Sequence, residues 1–345
     1  MKIILFLSLI LSFQATYANS CFSEVGVEST QDDPFYKERR AQVGKYKGEC
    51  YNNGFRRNSP RFDPLNVVHQ DLISRLYNIE MKRGKVYFAN FRHDNEFYLA
   101  EYTPGSVSRI LMMFEKFIEP LNNVVLTGHT HLRFLLNEPI RLYHPRKGMV
   151  AEISDFNYAM FAVRPMSIKD QTFSPFGDGI KKNYAITHNF MSTLDMAFEY
   201  ESYATPDSTA VSQFELESFG LDFEKTLNAL ITFSHQSYHE KNLRPYHTLK
   251  NNCVSNMYVG IVNGDKGLRR AHDNYHGKIY EKDGEKFFTP RKPRKKFTKN
   301  PMWVLRDLAS RGMIMSRTKN QREDFNSDLC TVLENANRAL PKGCQ

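Results

Sequence analysis

The chain has 345 residues, 41% of them hydrophobic and 25% charged, enough to build one large cored domain with additions, or two domains. Its longest apolar run, at the start, is too short to span a bilayer as a stable anchor, and no other run approaches that length, so a soluble exported protein is expected. The formal charge is +9, from 47 basic and 38 acidic residues.

At the N-terminus, Lys2 is followed by the apolar run from Ile3 to Phe13 and by Gln14-Ala15-Thr16-Tyr17-Ala18. A charged start, an apolar stretch and small residues at Thr16 and Ala18 predict a signal peptide over residues 1–18 and hence an exported, periplasmic or secreted protein. Cys21 raises a lipoprotein alternative, but Ala18-Asn19-Ser20-Cys21 lacks the leucine usual three residues before a lipidated cysteine. Residues 19–63 carry no sustained periodicity and read as an irregular N-terminal arm.

The main folded domain is expected over residues 64–263. Leu65, Val68, Leu72, Leu76 and Ile79 predict a helix. The aromatic-rich runs 86–91 and 97–102, around Arg92-His93-Asp94-Asn95-Glu96, predict a hairpin. Val107, Ile110, Leu111, Phe114 and Ile118 predict an amphipathic helix ending at Pro120. Strands are expected over 123–136, over 140–143 after a turn at Asn137-Glu138-Pro139, over 155–163 and over 211–216. Residues 165–205 give no clear assignment. Phe223, Leu227, Leu230 and Ile231 predict a helix ending near Tyr238, and a second helix opens at Asn251-Asn252-Cys253. Residues 264–300 form a basic segment, with 12 Lys and Arg against 5 Asp and Glu, and the helices 301–315 and 325–339 form a C-terminal extension over 301–345.

In an oxidising compartment the five cysteines can be sorted by position. Pairing Cys21 with Cys50 and Cys330 with Cys344 closes two local loops and leaves Cys253 as the odd thiol. Asn is a preferred helix N-cap, so Cys253 falls in the first turn, where the helix dipole is expected to lower a thiol pKa. A thiol nucleophile needs a base. Gly128-His129-Thr130-His131 lies in a predicted strand, which puts His129 and His131 on one face.

Three motifs in order carry a resemblance: Gly128-His129-Thr130 with Leu132-Arg133, then Asn157-Tyr158-Ala159, then Asn252-Cys253. Over roughly residues 85–262 the chain resembles the Lnb N-terminal periplasmic domain family, which looks like a circularly permuted relative of the papain and NlpC cysteine hydrolases. The resemblance implies an α+β, permuted papain-like fold. Its antiparallel sheet carries the histidine strand and packs on a helix with the cysteine at its N-terminus, with helical N- and C-terminal additions. It implies Cys253 as nucleophile and His129 as general base, and Asn157 is the candidate orienter, with Asp155 and His131 as rivals. Arg133, His131 and Asn252 are candidates for binding substrate. Val254-Ser255 departs from the family pattern, and the basic extension is not explained by it.

The function expected is an exported thiol hydrolase or acyltransferase, without a cofactor, acting on an amide or ester of a cell-envelope substrate: wall peptide, lipid acyl group or protein amide. One alternative is a non-catalytic module on an inactive papain-like scaffold, whose basic segment docks on anionic lipid or polymer rather than nucleic acid. The other is a zinc site built from His129 and His131 with Cys253 or His144.

Overall fold

A computed structural model of the chain describes residues 34–118, 125–168, 177–197, 211–216, 221–248, 251–264, 277–282 and 285–290, together with Glu334. The expected signal peptide, Cys21, Cys330, Cys344, the basic run 291–299 and, apart from Glu334, the C-terminal helices lie outside these residues.

The fold is α+β and dominated by its sheet. In chain order the described elements are β1 (Arg61–Phe62), α1 (Val67–Tyr77), β2 (Val86–His93), β3 (Glu96–Tyr102), β4 (Val107–Ile118), β5 (Val125–His144), β6 (Gly148–Val163), β7 (Ala185–Ser192), β8 (Val211–Glu215), α2 (Phe223–His239) and α3 (Cys253–Gly264). The hairpin of β9 (Gly277–Lys282) and β10 (Glu285–Pro290) follows inside the basic segment.

The eight-stranded sheet runs β1-β2-β7-β6-β5-β4-β8, with β3 joining β2 to β5. The pairings β2–β3, β3–β5, β5–β6, β6–β7 and β7–β2 therefore close a ring, whose one parallel contact is β2–β7. On one face of β5, Leu132, Phe134 and Leu136 join Phe156, Tyr158 and Phe190 in a core covered by α2 and α3. Leu227, Leu230 and Ile231 of α2 and Val254, Met257, Tyr258 and Ile261 of α3 supply the helical side. The opposite face has its own smaller core of Leu111, Met113, Ala159, Phe161, Met191 and Met196.

Burial on both faces explains where sequence periodicity misleads. Residues 107–118 form strand β4, not the expected helix, paired along its length with β5 and with β8. Ile110, Met112 and Phe114 enter one core while Leu111 and Met113 enter the other, so the period of two is hidden in an apolar run. The turn expected at Asn137-Glu138-Pro139 is instead a register shift between Leu135 and Ile140 within one long strand. Pro139 has no N–H to give a ladder, and the neighbour of β5 changes there from β4 to β3. β6 starts earlier than expected, at Gly148, and β7 fills part of the unassigned stretch.

The N-terminal arm is fastened to this body. Arg39 donates to the carbonyls of Tyr238, Glu240 and Lys241 at the end of α2, where a cation suits the negative pole of the helix. Arg56 donates to the Ala162 carbonyl and lies 4.5 Å from the Phe161 ring centre. Cys50, in the arm, is disulfide-bonded.

Candidate functional site

Cys253 is the first residue of α3 and is buried and outside any disulfide. The local sequence builds this start. The Asn252 side-chain oxygen accepts from the Ser255 N–H at 2.9 Å, and the Ser255 hydroxyl oxygen accepts from the Asn252 N–H at 3.0 Å. This is a reciprocal cap, with serine in the place usually held by a glutamate. The Asn252 amide nitrogen donates to the Thr248 carbonyl at 2.5 Å. Asn252, a candidate for binding substrate, thus shapes the turn.

Cys253 faces a fork in the sheet. The last rung between β5 and β6 is His131–Ala159. Beyond it β5 stays paired with β4, through Phe114–Thr130 to Ile118–Val125, while β6 continues with β7 from Met160–His188 to Val163–Ala185. Phe114 pairs with Thr130 from the β4 side, and the Thr130 backbone N–H adjoins the Cys253 thiol. That N–H and the Thr130 hydroxyl both favour the Cys253 thiolate, as do the N–H groups of Cys253 and Val254. Burial outweighs them, and the thiol pKa is raised above its ordinary value, not lowered as its place on the helix suggests. Tyr246 also adjoins the thiol: its own pKa is raised by burial first and by Cys253 next.

The expected base lies on the other face. Thr130 and Leu132 point toward α3, so alternation turns His129, His131 and Arg133 the opposite way. The His129 ring stacks on Phe161 at 5.2 Å between centres and on His131 at 6.1 Å. The side chains of His129 and Cys253 therefore start from opposite faces of the sheet at the fork. Burial, then His129 and Arg133, hold the His131 pKa well below the usual imidazole value, so His131 is neutral.

Arg133 and Asn157 pair across β5 and β6 on that same far face. The Arg133 guanidinium binds Asp155 at 2.5 and 2.6 Å. Asn157 donates to the Thr193 hydroxyl at 3.0 Å, and Thr193 donates to Asp155 at 2.8 Å. Asn157, the expected orienter, and Arg133, the expected anion donor, are members of one internal network. Of the zinc alternative, His129 and His131 turn away from the face that Cys253 occupies. Among the described residues, no group of three or more His, Cys, Asp or Glu is placed to hold a metal.

Sequence reading passed over a second polar pair on the Cys253 face of the sheet. Tyr158 on β6 and His188 on β7 lie 2.6 Å apart, hydroxyl to Nδ1. Burial, followed by Arg244, pushes the His188 pKa down to about 3. The ring is therefore neutral and shares one hydrogen bond with the tyrosine hydroxyl through Nδ1. Thr187-His188-Asn189 had no motif to flag it, and its strand was not recognised. A small cleft between the arm and the end of α2, lined in part by Lys37, Arg39 and Asn90, has room for about one water and does not include Cys253.

No helix among the described residues is long and apolar enough to cross a membrane. No protein-family model matches the chain, and no curated protein or solved structure matches it significantly.

Proposed function

We propose that the chain is an exported thiol hydrolase or acyltransferase on a permuted papain-like scaffold, acting on an amide or ester of a cell-envelope substrate. The observation that carries this reading is the position of Cys253: a helix N1 thiol set at the fork beside the strand that bears His129. The thiolate attacks the substrate carbonyl, a sulfur–carbon bond forms, and the carbon–nitrogen or carbon–oxygen bond to the leaving group breaks. His129 takes the thiol proton and returns it to the leaving group, and water or a second nucleophile then releases the acyl group from sulfur. A raised thiol pKa makes a base necessary at neutral pH. The His129 ring must leave its stack on Phe161 to reach through the fork, a rearrangement that substrate entry is expected to drive.

The test is selective modification. A thiol-reactive probe on the native protein should label Cys253, and His129→Ala should slow that labelling near neutral pH. Absence of labelling, or Cys253 found in a disulfide by non-reducing peptide mapping, would sink the proposal.

One observation favours a second reading. A nucleophile and base on opposite faces also suit an inactive scaffold, whose basic segment then docks on anionic lipid or polymer. That reading expects no Cys253 labelling, together with binding to anionic vesicles that weakens steeply with salt.

A further inference from the structure

Thr130 is 1% exposed, and its hydroxyl oxygen is buried without a hydrogen-bond partner. Native proteins rarely leave such a group unsatisfied unless something else uses it. Its position is specific: it lies between two histidines that face away, directly beyond the last β5–β6 rung, and its N–H adjoins the Cys253 thiol. The thiol on the other side of that opening is also adjoined by the Cys253 and Val254 N–H groups at the start of α3.

We infer that Thr130 is a positioning residue for the Cys253 thiolate, its hydroxyl and N–H completing, with the two helix amides, a set of four donors around the sulfur. This deepens the thiol reading and rests on it only for its use in catalysis; the donor set itself does not depend on turnover. As the sulfur ionises, the Thr130 hydroxyl gains a charged acceptor. A charged acceptor makes a hydrogen bond roughly twice as strong as a neutral one, so the hydroxyl contributes chiefly to the ionised state. The backbone fixes the N–H, whereas the hydroxyl can be removed without changing the shape of the side chain.

The experiment titrates Cys253 by NMR in full-length protein carrying 13Cβ-labelled cysteine, alongside alkylation by iodoacetamide at fixed pH. Thr130→Val, which is isosteric, should move the ionisation midpoint up by about one pH unit and slow alkylation about tenfold below it. Thr130→Ser should restore both to within about twofold of the parent. A Val titration that overlays the parent, or a Ser variant that behaves like Val, would overturn the inference. Cys253 ionising normally while no envelope substrate is cleaved would instead count against the hydrolase reading and leave the donor set standing.

Discussion

The two faces of β5 treat their polar groups in opposite ways. On the far face Arg133, Asp155, Thr193 and Asn157 hold one another in short hydrogen bonds. On the face toward α3, three residues before Arg133, the Thr130 hydroxyl has no hydrogen-bond partner within the fold's own polar groups and the Cys253 thiol is pushed toward its neutral form by burial. A satisfied network rigidifies what it touches, whereas an unsatisfied buried group stores a demand that a change of charge can meet. The far face thus reads as scaffold, and the reactive potential gathers where the sheet splits.

The largest effect expected comes from breaking the scaffold. Arg133→Met leaves Asp155, whose side chain is 23% exposed, without its cation and should cost about 3 kcal/mol of stability in urea unfolding. Adding Asp155→Asn should recover part of that loss. In the folded variant the Cys253 alkylation rate should stay at the parent value. A marked change there would mean the two faces act as one site and would erase the contrast between them.

Acid should act on the α3 face next. His188 is neutral in the fold, with its pKa near 3, whereas an unfolded histidine protonates below about 6.5. The unfolded chain therefore binds more protons below pH 6.5, so stability is full above that pH and falls as the pH drops toward 3. At pH 5 the loss from this one ring should be about 2 kcal/mol. His188→Gln, compared with the parent at pH 7 and pH 5, should remove that part of the acid sensitivity. Equal pH dependence in both proteins would show that the buried Tyr158–His188 pair is not what acid opens.

How much of this was readable in advance follows from what each segment buries. The Cys253 helix was legible because Asn252 marks its cap and Val254, Met257, Tyr258 and Ile261 repeat at helical spacing on a single buried face. The alternation that puts His129 and His131 on one face was legible too. Which face that is was not, because Leu132 and Arg133 are both buried and nothing in the residues says which one meets α3. For β4 the same double burial erased the strand period altogether. The fork was invisible for another reason: it is a property of where two ladders end, and ladders depend on partners distant in the chain.

The smallest effect separates cap from catalyst at the feature both readings share. Asn252→Ala removes the acceptor for the Ser255 N–H and should cost about 1 kcal/mol. Asn252→Ser keeps a good capping oxygen but has no amide donor, so it should lie within about 0.5 kcal/mol of the parent. Were Asn252 a donor to a developing oxyanion, the Ser variant would fold normally and lose about a hundredfold in turnover. The bond from its amide nitrogen to the Thr248 carbonyl predicts otherwise: the donor is already engaged, and the Ser variant should match the parent in both Cys253 alkylation and any hydrolysis found. Stability and reactivity would then move independently at Asn252 but together with the donor count at Thr130, which assigns the chemistry to the fork and the architecture to the cap.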